Sequence, residues 1–229
     1  MPRLNADKLI FNERRILLDA YNPDDQLASL KAWWKQYGQA LIAGVVIGVL
    51  LLAGGNYWRQ HKIKRAETAS LLYENLMADW QQGKIDGVSA AASKLMQDYD
   101  ATPYAGKAAL LLARQRFDAK DIAATRQHLE WAMKNATEPA VQHTARLRLG
   151  RLLFDQGDNA AALALANFKE TDGFVSEYEE LKGDVLLAQG DRAGARRAYQ
   201  LAIDRLVPRS TYGQVLAMKR DNLGPDSAP

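Results

Sequence analysis

The sequence predicts an all-α protein: one membrane-spanning helix near the N-terminus, followed by an array of helical hairpins. Three observations carry this expectation. A single uncharged apolar run is long enough to cross a bilayer. No stretch alternates polar and apolar residues with the period of a strand. A helix-turn-helix pattern recurs about every 34 residues.

The apolar run extends from Tyr37 to Trp58, bounded by Lys35 and Arg59, and its centre reads ALIAGVVIGVLLLAGG. As a helix it measures roughly 33 Å, against a hydrocarbon core of about 30 Å. Trp33, Trp34 and Tyr37 flank one end, and Tyr57 and Trp58 flank the other. Amphipathic rings favour the headgroup level, so these pairs read as two aromatic belts. A core helix of a soluble protein seldom runs this far without a charge. A cleaved signal peptide has a shorter apolar stretch nearer the terminus. The expectation is therefore an uncleaved anchor. Ala40, Gly44 and Gly48 form a small-residue face on which another membrane helix can pack closely.

The domain boundaries that follow are an N-terminal tail at 1–36, the span at 37–58 and a basic juxtamembrane linker at 59–65. A repeat domain follows at 66–224, and a C-terminal tail at 225–229. Lysine and arginine give a divided answer on orientation. Lys31 and Lys35 precede the span within about 20 residues, whereas Arg59, Lys62, Lys64 and Arg65 follow it. That local count places the repeat domain inside. Adding Arg3, Lys8, Arg14 and Arg15 from the tail reverses it.

The repeat is visible directly. Residues 150–162, GRLLFDQGDNAAA, align with 183–195, GDVLLAQGDRAGA, at an offset of 33. ARQRFDAKD at 113–121 aligns with 150–158 at an offset of 37. Helix-turn-helix units of this period are the signature of tetratricopeptide-like repeats. Each recurring residue has a mechanical reason. Gly150 and Gly183 let a second helix cross closely, with Ala162 and Ala195 as the matching small positions. Gly157 and Gly190 suit a left-handed residue ending the first helix, and Asp158 and Asp191 cap the second. Tyr199 and Ala202 supply the large residue and then the small one that the consensus wants. Residues 66–100 read as a degenerate first unit, and 210–224 as the capping helix that repeat arrays need.

Composition narrows the function. The 229 residues are 48% hydrophobic and 25% charged, which suits a folded chain, and the net charge of +3 is interspersed rather than gathered into a nucleic-acid stripe. There is no cysteine, so disulfides, zinc thiolates and cysteine nucleophiles are excluded. His61, His128 and His143 show no metal-ligand spacing. No P-loop, G-x-S-x-G or G-x-G-x-x-G occurs. We therefore expect no enzyme activity, no catalytic or metal site, no cofactor and no small-molecule substrate. The expectation is a protein-binding repeat domain beside membrane lipid.

In tetratricopeptide arrays the first helix of each unit faces the binding groove. In register, Arg114, Phe117 and Asp118 correspond to Arg151, Phe154 and Asp155, and the third unit places Asp184 in the arginine position. Arginine and phenylalanine one turn apart share a face. These seven residues are the groove candidates, offering apolar contact and a partner for a carboxylate.

The order WWKQYG, apolar span, YW and basic patch is followed by Pro103-Tyr104-Ala105, ARLRL at 145–149, GDVLLAQGD, Ala198-Tyr199 and MKRDN at 218–222. Over about residues 22–224 the chain resembles the ancillary SecYEG translocon subunit family, the YfgM-like proteins of Gram-negative bacteria. The resemblance implies an inner-membrane protein, N-terminus cytoplasmic and repeat domain periplasmic. It implies association with the SecYEG translocon and with the membrane-anchored periplasmic chaperone PpiD, in the handling of secreted proteins. The local Lys/Arg count departs from that orientation, which long translocated domains can override. The alternative function is an envelope adaptor unrelated to secretion, in cell division or stress signalling. Residues 1–20 fall outside the resemblance and are expected to reflect an upstream start codon.

Overall fold

The computed structural model describes residues 23–168, 173–207 and 210–224; residues 1–20 and the C-terminal tail 225–229 lie outside the described residues. Among the described residues there are nine helices and no strand. They are α1 (Pro23–Gln81), α2 (Ile85–Asp98), α3 (Pro103–Asp118), α4 (Ile122–Asn135), α5 (Pro139–Asp155), α6 (Asn159–Ala166), α7 (Val175–Ala188), α8 (Arg192–Asp204) and α9 (Gly213–Asp221). The chain divides into two units, residues 1–62 and 63–229.

The first unit holds the anchor. Mean hydropathy reaches 2.0 in α1, a helix long and apolar enough to cross a membrane. Along 41–52 its apolar side chains face outward; Leu52, for instance, is 77% exposed. A core helix would bury them. Space is open around both Gly44 and Gly48, where an added Cβ would meet nothing within 4 Å. Residues 59–65 belong to the same helix. Neither glycine nor proline occurs from Asn56 to Gln82, so nothing in the chain stops it before Gly83.

The second unit is a row of hairpins: the end of α1 with α2, then α3 with α4, α5 with α6, and α7 with α8, closed by α9. One corner recurs at each turn. Gly83, Gly157 and Gly190 have φ of +68°, +81° and +87°, and Lys120 takes the same left-handed conformation at +62°. At each corner the next amide bonds back to the carbonyl five residues earlier: Lys84 to Asp79, Asp121 to Arg116, Asp158 to Leu153 and Asp191 to Leu186, all at 2.9 Å. This is the Schellman end of a helix. The same three aspartates then start the next helix. Their carboxylates accept from the amides of Ala124, Ala161 and Gly194 at 3.0, 3.1 and 2.7 Å. Lys84 holds the equivalent place in the first hairpin and supplies no side-chain cap.

Packing follows the small positions. Ala69, Leu76, Val88, Ala92, Leu95 and Leu112 form the core of the first hairpin against α3. Leu149, Leu152, Leu153, Leu181 and Val185 join the central hairpins. Gly183 lies under the Tyr199 ring of its own hairpin, where a Cβ would sit 2.5 Å from the ring. Gly150 differs from the expectation. Its nearest neighbour is Leu181 of the following hairpin, 2.6 Å from where a Cβ would be, while Leu165 of its own second helix is 3.8 Å away. The glycine therefore admits the neighbouring unit as well as its own. Ala162 and Ala195 are fully buried.

One expectation needs correction. The breakers predicted helices of roughly 12–18 residues, but α6 spans 8 and α9 spans 9. α6 ends at Ala166 with Asn167 as its cap, and Phe168 turns to lie under Arg146, whose guanidinium is 4.1 Å from the ring centre. That tertiary contact is invisible to local pattern.

Candidate partner-binding groove

Two sites lie on the first helices of the hairpins, and the seven candidate residues divide between them and the core. Proline at the start of α3 and of α5 fixes both helix entries. Between these helices lies a groove of about 520 Å³, lined by Arg114, Phe117, Arg151 and Asp155 of the candidates. Phe117 is 40% exposed and available. Asp118 pairs with Arg114 at 2.8 Å, one helical turn away. Phe154 is withdrawn, packed against the central core.

Asp184 belongs to a second site at the C-terminal end. It accepts from the Tyr199 hydroxyl at 2.8 Å and from Lys219 Nζ at 2.8 and 3.0 Å. Lys219 also donates to Glu180 at 2.7 Å, and Tyr212 donates to the same Glu180 oxygen at 2.6 Å. Arg151 approaches Glu180 at 3.6 Å and so links the two sites. The cluster fastens the capping helix α9 onto α7. Burial pulls the Lys219 ammonium down, but hydrogen bonds to Asp184 and Glu180 and their charges outweigh it, leaving its pKa above the ordinary lysine value. Burial, then the bond to Asp184, pushes the Tyr199 hydroxyl well up. The Glu180 bond and then burial do the same for Tyr212.

Sequence reasoning missed Arg148 and Lys107, which also line the groove, and the whole Glu180–Lys219–Tyr212 cluster. Arg148 had a local signal: it lies three residues before Arg151, hence on the same face of α5. Its pKa is lowered by burial and by the guanidiniums of Arg114 and Arg151. Lys107 pairs with Glu138 at 3.2 Å. The floor between these cations is apolar, formed by Leu110, Leu111, Leu129 and Leu152. Among the described residues no group of acidic and histidine side chains is placed to hold a metal ion. The arrangement suits recognition of a chain that combines apolar and charged side chains.

Residues 31–225 match the tetratricopeptide repeat-like domain family. The chain belongs to that family. That match takes in the apolar span as well as the repeats. The ancillary SecYEG translocon subunit of Escherichia coli (strain K12) is 29% identical over 202 residues, 88% of this chain and 97% of that protein. The protein of the same name from Neisseria gonorrhoeae is also 29% identical, over 86% of this chain and 95% of its own length. That of Haemophilus influenzae is 27% identical, over 78% and 87%. In this tetratricopeptide repeat-like chain, both the groove and the α9 cluster fall inside the matched residues.

Proposed function

We propose that this chain is a non-catalytic subunit of the Sec translocon, held in the inner membrane by its single span and binding partner proteins through its repeat domain. The observation that carries the reading is the near full-length likeness to proteins named ancillary SecYEG translocon subunit, 97% of the Escherichia coli protein being covered. The described residues add a helix fit to cross a membrane and a groove fit to hold a peptide. In this reading the N-terminus is cytoplasmic and the repeat domain periplasmic. SecYEG and a PpiD-type periplasmic chaperone are its partners, and its role is to assist secreted proteins. Arg114, Phe117, Asp118, Arg151 and Asp155 serve the groove, Phe154 supports it from the core, and Asp184 steadies its end. Ala40, Gly44 and Gly48 offer the small face to a partner's membrane helix.

Crosslinking in native membranes followed by mass spectrometry tests the partners. SecY and a PpiD-type chaperone should be recovered; recovery of division or stress-signalling proteins in their place would overturn the reading. Protease added to spheroplasts should digest residues beyond about 65. Full protection until lysis would reverse the orientation and remove the translocon role with it. Gly44→Ile with Gly48→Ile should lower partner recovery; unchanged recovery would assign binding to the repeat domain alone.

A further inference from the structure

The groove between α3 and α5 carries an unbalanced set of charges. Lys107, Arg114, Arg148 and Arg151 line it against Asp155 alone. Three of these cations have carboxylate neighbours that lie outside the lining: Glu138 at 3.2 Å, Asp118 at 2.8 Å and Glu180 at 3.6 Å. Arg148 has none among the described residues; its charged neighbours are Arg114 and Arg151. A guanidinium in the groove lining that feels the like charges of Arg114 and Arg151 is in a place that an incoming anion improves. The like charges of Arg114 and Arg151 acting on Arg148 do not favour the fold.

We propose that this groove selects peptide segments in which acidic side chains alternate with apolar ones, with Arg148 as the residue that reads the acid. This rests on the groove being the partner-binding face and adds the chemistry of what it takes. The apolar side chains settle on Leu110, Leu111, Leu129 and Leu152. The carboxylates meet Arg148 and its neighbours, and planar guanidiniums receive carboxylates by paired hydrogen bonds. The cations are spread along the groove: Lys107 and Arg114 are two turns apart on one helix, about 10 Å. Such a spread suits several side-chain carboxylates rather than the single carboxylate of a chain terminus. The volume of about 520 Å³ is within the usual range for ligand pockets, about 300–1,000 Å³.

The test is fluorescence anisotropy on the full chain in nanodiscs, with empty nanodiscs as blank. The probe is a labelled short Glu-Leu peptide with both termini blocked. It should bind, weaken with salt, and lose about tenfold or more in affinity against Arg148→Glu, with Arg148→Gln between. The Gln-Leu peptide should bind at least about tenfold more weakly. Equal binding of the two peptides would overturn the proposal. So would undiminished binding by Arg148→Glu with helicity intact. A Gln-Leu peptide with a free C-terminus that binds as tightly as the Glu-Leu peptide would also overturn it, reassigning the site to chain ends. If Arg148→Glu fails to fold, Arg148→Gln and the peptide pair decide. Copurification of SecYEG with the wild-type chain separates the two readings: retained copurification without peptide selectivity sinks this inference alone, whereas selectivity without copurification supports it and sinks the translocon role.

Discussion

Lys219 on α9 donates at 2.7 Å to Glu180, a carboxylate on α7 that is only 4% exposed. Thirty-nine residues separate them in the chain. Among the described residues Glu180 is the one charged residue that is buried, and its partners come mostly from the capping segment: Lys219 and Tyr212 beyond it, Arg151 before it. The last helix thus neutralises a charge that the fourth hairpin has already buried.

Replacing Lys219 by Met should therefore destabilise the repeat unit well beyond a surface change. Breaking a fully buried pair costs about 3–5 kcal/mol, and the partial exposure of Lys219 lowers that to about 2–3 kcal/mol. Thermal unfolding of the full chain in detergent, with hydrogen exchange of α9, reads the effect. A loss below about 0.5 kcal/mol, with α9 protection unchanged, would contradict the pinning role.

The pH dependence has a definite sign. The folded pKa of Lys219 lies above its ordinary value of 10.5. Its stabilisation is therefore complete below about pH 10.5 and lost only as pH rises through the higher folded value. The stability difference between wild type and Lys219→Met should stay flat from about pH 6 to 9 and shrink in strong alkali. A difference that collapses near neutrality would assign the effect to another group.

Lys120 occupies a left-handed conformation, φ +62°, where Gly157 and Gly190 stand in the later hairpins. A side chain costs about 1 kcal/mol or more there, part of which glycine gives back as unfolded-chain freedom. Lys120→Gly should stabilise by about 0.5–1 kcal/mol, and Gly157→Ala should destabilise by about 1 kcal/mol. Chemical denaturation of the two variants compares them directly; a destabilised Lys120→Gly would mean that the lysine side chain, 5.8 Å from the Phe117 ring, matters more than its backbone.

A Cβ at Gly183 would meet the Tyr199 ring at 2.5 Å. Gly183→Ala should cost about 1–3 kcal/mol through overpacking. The cost should fall when Tyr199→Leu is already present, since the smaller side chain vacates the contact. Strict additivity in that double-mutant cycle would show that the two positions do not press on one another.

What was legible in the sequence was whatever repeats or stays local. The Gly-Asp corner recurs at 157–158 and 190–191 in the chemistry that a helix end and a helix start require. The anchor is a property of composition along one helix. The groove was half legible: Arg114 and Arg151 share a register, and the helix period puts each on the same face as a neighbouring candidate. Whether Phe117 or Phe154 faces outward was not, because both have the same local pattern. Phe154 packs against the central core, whose residues come from several hairpins. The Lys219 cluster was beyond reach, since it joins residues that only the stacking of hairpins brings together. Arg148 was missed because the repeat register led to Arg151, and the preceding positions have no matching arginine in the other copies.

The aspartate at each corner belongs to two helices at once: its amide closes one and its carboxylate opens the next. Fraying of either helix thus releases a bond that the other needs, so the smallest segment able to open on its own is a hairpin rather than a helix. The array should breathe in steps of about one repeat, as quasi-one-dimensional proteins do. In the first hairpin Lys84 bonds back to α1 through its amide and pairs with Asp79 at 3.7 Å, but its side chain does not cap α2. There the joint is single, and α2 is free to loosen at its start while the end of α1 stays wound.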